Sequence, residues 1–213
     1  MIISPSIASS NLLRIADEVM FVNEHFNELH IDIEDGVVVQ GISFGMKMTK
    51  KIFEISKTEK SLHLEVLNPL DYLEDIVNCK PDYLFIQVDH LQDPLTVVKK
   101  YLDEGINAGI AIGDRDMNVD YDNIFALTDL VLVSTAFHDD PNQEYQLIME
   151  NFAINLAKRG LQVWVDGGIN HQNIKHYEDS NVYAAVIGRD IFSNEDLAVK
   201  NYCMKEGKNN DMA

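Results

Sequence analysis

The chain has few cysteines and few basic residues. The first scarcity bears on its cellular location, and the second bears on the partners that it can bind. Two cysteines, Cys79 and Cys203, occur in 213 residues without CxxC spacing, and the first residues show neither a basic region nor a long apolar stretch. These features predict a cytoplasmic protein. Seventeen Lys and Arg residues stand against thirty-five Asp and Glu residues, for a net charge of −18. Binding to nucleic acid or to an anionic membrane is therefore not expected.

Several catalytic signatures are also missing. The chain has no glycine-rich dinucleotide fingerprint and no Walker A loop. The segment 32–35 lacks the lysine that barrel decarboxylases use to protonate a carbanion, and lysines such as Lys50 and Lys99 are predicted on helix surfaces, away from a Schiff-base site. A phosphorylated small molecule stays compatible with the acidic charge, because backbone N–H groups and one or two cations can hold a phosphate.

What the chain does contain is a regular alternation of short β-branched runs and amphipathic stretches. The helical spacing is clearest over residues 12–22 and 146–157. Eight βα units in about 200 residues predict an α/β fold, a (β/α)8 TIM barrel, as one domain over residues 1–204 with a polar tail at 205–213. The predicted strands are 2–6, 29–33, 62–66, 83–88, 108–112, 130–134, 163–166 and 184–187.

Four polar side chains fall at the ends of predicted strands two, three and seven. His30 and Asp32 share a strand face, and His63 and Asp166 can join them only in a closed barrel. Taken singly, a buried histidine is more often a core residue and such an aspartate a helix cap. Together, mixed nitrogen and oxygen donors favour a site for Zn²⁺, Fe²⁺, Mn²⁺ or Co²⁺ over a salt-bridge cluster without metal.

The motifs around these residues carry a family resemblance. Pro5-Ser6-Ile7 opens the chain, His-x-Asp-x-x-Asp-Gly occupies residues 30–36, His63 and Leu64 precede an Asn-Pro pair at 68–69, and Val-Asp-Gly-Gly-Ile occupies 165–169. In this order, at the expected strands, they resemble the ribulose-phosphate 3-epimerase family over nearly the whole chain.

The resemblance implies a ribulose-phosphate-binding barrel that inverts C3 of a ketose phosphate similar to ribulose 5-phosphate. One divalent metal ion, Zn²⁺ foremost, would be held by His30, Asp32, His63 and Asp166. Asp32 and Asp166 would also transfer the proton, as a two-base 1,1-proton transfer through a metal-stabilised cis-enediolate. Ser6 would contact substrate or the site's water. The resemblance also implies a homo-oligomer, a dimer or larger.

The phosphate end is less complete. The loops after strands seven and eight carry Gly167, Gly168, Gly188 and Arg189, which predict a phosphate site. The resemblance implies a glycine-rich lid after strand six, but residues 139–143 read Asp-Asp-Pro-Asn-Gln, and only Gln143 matches. Two interpretations of Arg189 remain open. It is either a cation for the phosphate or the partner of an acid such as Asp190 or Asp179.

Other departures lie close to the predicted chemistry. Glu34, Glu65 and Ser134 occupy positions where the resemblance implies methionines, and Trp164 replaces a residue that is usually acidic. These changes either redirect specificity to another ketose phosphate or repack the barrel. An alternative to catalysis is a non-catalytic barrel that binds a sugar phosphate and metal. Retention of both site aspartates favours catalysis, and the altered lid favours binding.

Overall fold

A barrel of parallel strands forms the centre of the chain. The computed structural model describes residues 1–137 and 142–203. Its strands are β1 Ile2–Pro5, β2 Glu28–Glu34, β3 Glu59–Glu65, β4 Tyr83–Gln87, β5 Ala108–Ile112, β6 Leu130–Ser134, β7 Gln162–Asp166 and β8 Ala184–Ile187. They hydrogen-bond in chain order from β2 to β8, and β8 pairs with β1. A parallel bridge between Ser6 and His30 joins the two remaining edges, so the predicted (β/α)8 barrel is confirmed.

Helices of unequal length surround the strands in the described part of the chain. The α-helices are α1 Ile15–His25, α2 Met46–Ile55, α3 Leu73–Cys79, α4 Pro94–Asp103, α5 Asp122–Phe125, α6 Leu147–Lys158, α7 Arg189–Phe192 and α8 Glu195–Ala198. Short 3₁₀ turns occupy Ile7–Ser9, Leu12–Arg14, Pro69–Tyr72 and Asn173–Tyr177, and a π turn occupies Val199–Cys203. None of these helices has the length and apolar character needed to cross a membrane.

The predicted helices differ from the observed ones mainly at their ends. The spacing over residues 12–22 predicts one continuous helix, but the segment starts as the 3₁₀ turn Leu12–Arg14, capped by Asn11, and α1 continues to His25. The connection after β7 contains the 3₁₀ turn Asn173–Tyr177 in place of an α-helix. Residues 138–141 and 204–213 lie outside the description, so the expectations for Asp139, Asp140 and the tail remain predictions.

The strands separate an outer apolar core from a smaller inner one. Successive side chains alternate between the helix-facing and barrel-facing sides. Both sides of β5 are buried, and its sequence is therefore a continuous apolar run. The larger cluster lies between the strands and the helices. The smaller cluster fills the barrel and comprises Phe85, Ala111, Leu130, Leu132, Trp164, Ala184 and Val186.

Trp164 is part of that inner cluster and does not reach the pocket. Its ring is fully buried, with the rings of Tyr83, Phe85 and Tyr183 at centroid distances of 4.7, 4.9 and 4.4 Å. Its Nε1 donates to Glu28 Oε1 at 3.0 Å. Of the two interpretations of this residue, the structure supports repacking of the barrel.

Candidate active site

A cavity of about 530 Å³ opens at the carboxyl ends of the strands. Nine of the ten predicted site residues line it: Ser6, Asp32, His63, Gln143, Asp166, Gly167, Gly168, Gly188 and Arg189. The tenth, His30, is fully buried and lies against the pocket residue Asp32. The fold therefore gathers these residues, which come from six separate segments of the chain, at one end of the barrel.

The two histidines and two aspartates form a compact group. One ligand atom from each of His30, Asp32, His63 and Asp166 lies within 4.8 Å of all the others. His30 Nε2 is 3.1 Å from Asp32 Oδ1 and 4.0 Å from Asp166 Oδ2, and His63 Nδ1 is 3.6 Å from Asp32 Oδ1. These are the donor types that structural and catalytic Zn²⁺ and related ions use in proteins.

The hydrogen bonds of the histidines fit a metal ion at this point. His63 Nδ1 is buried and has no hydrogen-bond partner among the described residues, whereas its Nε2 lies 3.2 Å from Gln87 Oε1. An amide oxygen only accepts, so Nε2 carries the proton there. Metal-binding histidines commonly use one nitrogen for the ion and the other for such a partner. Burial lowers the pKa of His63, but nearby carboxylates, Glu65 foremost, outweigh burial and raise it to about 10. The same negative surroundings attract a metal cation.

The two aspartates have different proton affinities. Burial favours the neutral form of both. For Asp32 the charge and hydrogen bonds of His30 and His63 outweigh burial, so its pKa is lowered. For Asp166, burial and the negative charge of Asp32 raise the pKa to about 6. Ser6 Oγ donates to Asp32 Oδ2 at 2.8 Å and adds to the stabilisation of the Asp32 anion.

Two further carboxyl groups face the same pocket. Glu34 and Glu65 both line the cavity, as does Ser134, so all three positions where methionines were implied face the site. Glu65 Oε2 lies 3.8 Å from His63 Nδ1, and burial raises the pKa of Glu65 to about 7. Burial, followed by the charge of Asp32, also raises the pKa of Glu34. Neither side chain is turned out to solvent, so both affect what the pocket can bind.

At the rim, both loops predicted to hold phosphate pack against residues 142–143. Gly168 has a φ of 68°, and a Cβ there would approach Gln143 O to 2.5 Å. Arg189 Nη2 donates to Asn142 O at 2.7 Å and to Gln143 Oε1 at 3.0 Å. Asp190, one candidate partner of Arg189, accepts from His171 and Tyr202. Within the described residues, Arg189 thus links the loop after β8 to the segment before α6. Arg189 also lines the pocket.

Three residues that support the histidines were missed at the sequence level. Gln87 contacts His63, Ser61 Oγ lies 2.7 Å from His30 Nδ1, and Glu28 contacts Ser61. A sequence signal existed for all three, since each is a polar residue on the inward face of a strand: Glu28 and Ser61 precede the histidines by two positions, and Gln87 ends an apolar run.

Comparison with known proteins gives a consistent result along the whole chain. The model of the ribulose-phosphate 3 epimerase family matches residues 2–192. The chain is 25% identical over 200 residues to ribulose-phosphate 3-epimerase of Helicobacter pylori, covering 91% of this chain and 92% of the relative. Identity to the Synechocystis enzyme of the same name is 24%, with 90% and 87% covered, and to the Bacillus subtilis enzyme 22%, with 91% and 93% covered.

Solved structures show the same fold at lower identity. KGPDC from Streptococcus mutans, in complex with D-R5P, superposes with a TM-score of 0.71 at 13% identity, covering 96% of this chain and 95% of the other. N-(5'-phosphoribosyl)anthranilate isomerase from Pyrococcus furiosus superposes with a TM-score of 0.60 at 15% identity, covering 94% and 98%. At these identities the likeness concerns the barrel alone.

Proposed function

The chain belongs to the ribulose-phosphate 3-epimerase family, and on that premise we propose that it is a metal-dependent isomerase that inverts C3 of a ketose phosphate. One observation carries the proposal. His30, Asp32, His63 and Asp166 place a ligand atom each within 4.8 Å of one another at the base of a pocket of sugar-phosphate size.

The two aspartates supply what inversion requires. The proton on a carbon next to a carbonyl must leave from one face, and a proton must return to the other, which calls for one carboxyl group on each face. Asp32, held as an anion, is suited to act as base. Asp166, whose pKa is raised to about 6, is suited to carry the proton that returns. Their roles exchange when the reaction runs in reverse.

The metal ion would be held by His30 Nε2, His63 Nδ1 and the carboxylates of Asp32 and Asp166. When bound, a divalent ion supplies Lewis-acid stabilisation of the negative charge that develops on the substrate's oxygens. Zn²⁺ is our first choice, with Fe²⁺, Mn²⁺ and Co²⁺ as alternatives. Ser6 keeps its place beside Asp32 and contacts substrate or the site's water.

The phosphate would lie at the rim, between the loops after β7 and β8. Gly167, Gly168 and Gly188 line the pocket in these loops, where backbone N–H groups can hold a phosphate, and Arg189 and Gln143 supply polar side chains. A location in the cytoplasm, a homo-oligomeric state and absence of nucleic-acid and membrane partners remain predictions. Ribulose 5-phosphate is the first substrate to test, because the relatives' names state it.

A second candidate has specific support. Glu34 and Glu65 face the pocket and add two carboxyl groups to the cavity that Asp32 and Asp166 line. They favour a different ketose phosphate, such as allulose 6-phosphate, which has one more hydroxyl-bearing carbon than ribulose 5-phosphate. They also favour the alternative of a non-catalytic barrel of the same family, which binds metal and a sugar phosphate without converting it.

One experiment tests these alternatives together. Metal content is measured on the purified, reconstituted protein, and deuterium incorporation at C3 is followed by NMR in D₂O with each of the two sugars. The variants are Asp32→Asn and Asp166→Asn, and the control is Asp82→Asn, whose carboxylate lies at the opposite end of the barrel.

Each result supports one alternative and contradicts another. About one equivalent of metal, with exchange that Asp32→Asn removes and Asp82→Asn retains, supports the epimerase and identifies the sugar. Bound metal without exchange on either sugar favours a different substrate or a binding role. Failure to bind metal after reconstitution contradicts the proposed function.

A further inference from the structure

A chain of hydrogen bonds leads from the metal-binding group into the closed end of the barrel. His30 Nδ1 lies 2.7 Å from Ser61 Oγ, and Ser61 Oγ lies 2.6 Å from Glu28 Oε1. Ser4 Oγ and Trp164 Nε1 reach the same oxygen at 2.7 and 3.0 Å. All five side chains are fully buried, so solvent cannot replace any of these contacts.

The direction of each hydrogen bond follows from the available protons. The indole N–H of Trp164 can only donate, so Glu28 Oε1 is an acceptor, and the Ser4 and Ser61 hydroxyls donate to it as well. Ser61 has one proton, and its bond to Glu28 uses it. Ser61 can therefore only accept from His30, which places a proton on His30 Nδ1. His30 Nε2 lies 3.1 Å from Asp32 Oδ1, which accepts, so Nε2 is the nitrogen that gives up its proton when an ion binds, while Nδ1 keeps its own proton on Ser61.

We propose that Glu28, acting through Ser61, is a positioning residue that holds His30 in the Nδ1–H tautomer and so prepares Nε2 to bind the metal. This inference rests on the metal site proposed above. Ser4 and Trp164 keep the Glu28 carboxylate in place. The two histidines are thus oriented from different sides: His63 through Nε2 by Gln87, and His30 through Nδ1 by the buried acid.

Two serines form a matched pair for testing the relay. Ser4 and Ser61 are both fully buried, and both donate to Glu28 Oε1. Only Ser61 contacts His30. Ser61→Ala and Ser4→Ala therefore remove the same group from the same carboxylate, but only Ser61→Ala interrupts the path to the metal-binding histidine.

The first readout is the dissociation constant for Zn²⁺, measured by chelator competition on metal-depleted protein. We expect Ser61→Ala to weaken Zn²⁺ binding by roughly 10- to 100-fold, the range typical for loss of an outer partner of a metal-binding histidine. Ser4→Ala should bind Zn²⁺ as the unmutated protein does. Equal affinity in both variants and the unmutated protein, or an equal loss in both variants, overturns the inference.

The second readout does not depend on metal. In metal-depleted protein with ¹⁵N-labelled histidine, His30 should give a slowly exchanging Nδ1–H signal, identified by its absence in His30→Asn. The signal should persist in Ser4→Ala and disappear in Ser61→Ala. Its absence from the unmutated protein overturns the relay. If the relay is present but Zn²⁺ does not bind, the metal-dependent function fails while the hydrogen-bond arrangement stands.

Variants of the acid separate positioning from folding. Glu28→Gln keeps an acceptor oxygen for Ser61 and Trp164, but places an amide N–H₂ where Glu28 Oε2 has no partner. It should lower thermal stability yet retain the Nδ1–H signal and Zn²⁺ affinity. Glu28→Leu removes the acceptor and should lose both. If Glu28→Gln folds and loses Zn²⁺ affinity as fully as Ser61→Ala, the inference is wrong.

Discussion

The two ends of the barrel interior bury carboxyl groups in opposite ways. At the closed end, Glu28 directs one oxygen at three donors from β1, β3 and β7. At the open end, Asp32, Asp166 and Glu65 crowd together, while the buried His63 Nδ1 has no hydrogen-bond partner in the described structure. At the closed end one carboxyl group collects three donors on a single oxygen, although its Oε2 has none, whereas at the open end several carboxyl groups surround a ring nitrogen that is suited to bind a cation.

The difference shows that the carboxyl groups at the open end lower the stability of the fold. Burial raises the pKa of Asp166 to about 6 and that of Glu65 to about 7, so ionisation of either group opposes folding near neutral pH. Such perturbed groups gathered in one cleft are typical of functional sites. Mutations of Asp166 at the open end and of Trp164 at the closed end should accordingly separate activity from stability.

The largest effect is expected at the open end. Asp166→Asn should reduce inversion by roughly 10²- to 10⁴-fold, because one of the two proton-transferring groups is lost. Stability of the metal-depleted protein should not fall, since the variant removes a carboxyl group whose ionised form is disfavoured by burial. A coupled kinetic assay and thermal unfolding check both expectations. A variant that inverts substrate at the unmutated rate contradicts the assigned role.

The next effect belongs to the closed end. Trp164→Ala should lower the free energy of unfolding by about 3–5 kcal/mol, since it removes the large, fully buried ring of the inner cluster. Trp164→Phe should cost only about 1 kcal/mol, because it keeps a ring and loses a single donor to Glu28. Urea unfolding measures both. If Trp164→Phe abolishes metal binding, the assignment of Trp164 to stability alone is wrong.

Addition of metal provides a further test of the difference between Asp166 and Trp164. At one hundred times its dissociation constant, Zn²⁺ should raise the free energy of unfolding by about 2.7 kcal/mol, because it binds the folded chain. The increase should shrink in Asp166→Asn and persist in Trp164→Phe. Calorimetry at fixed Zn²⁺ concentration compares the three proteins, and an undiminished increase in Asp166→Asn would remove that residue from the metal site.

The smallest effect concerns a paired carboxylate outside the metal-binding group. Burial opposes ionisation of Asp190, but hydrogen bonds from Tyr202 and His171 outweigh it and lower the pKa. The stabilisation is therefore present above the unfolded value of 3.8 and is lost as pH falls through the folded pKa. Asp190→Asn should cost about 1 kcal/mol at pH 7 and less below pH 3.8. A constant difference across that range would contradict this account.

Much of the barrel was predictable because strand signals are local. The predicted strands at 108–112, 130–134 and 184–187 match β5, β6 and β8 residue for residue. Each is a run of mostly β-branched or small apolar residues, which is typical of a strand covered on both faces. The prediction for β2 began one residue late, because Glu28 does not look like a buried strand residue until its three donors are known.

The residue types of the candidate site and their order along the chain were determined by the sequence alone. The period of two sets His30 beside Asp32, and strand ends collect at one edge of a barrel. Only the tertiary structure decided that Gln87 contacts His63, that Arg189 contacts Gln143, and that Glu28 is held by Trp164 from 136 positions away. The physical reason is that periodicity acts between neighbours along one strand, whereas these contacts exist only after the barrel closes and brings distant strands together.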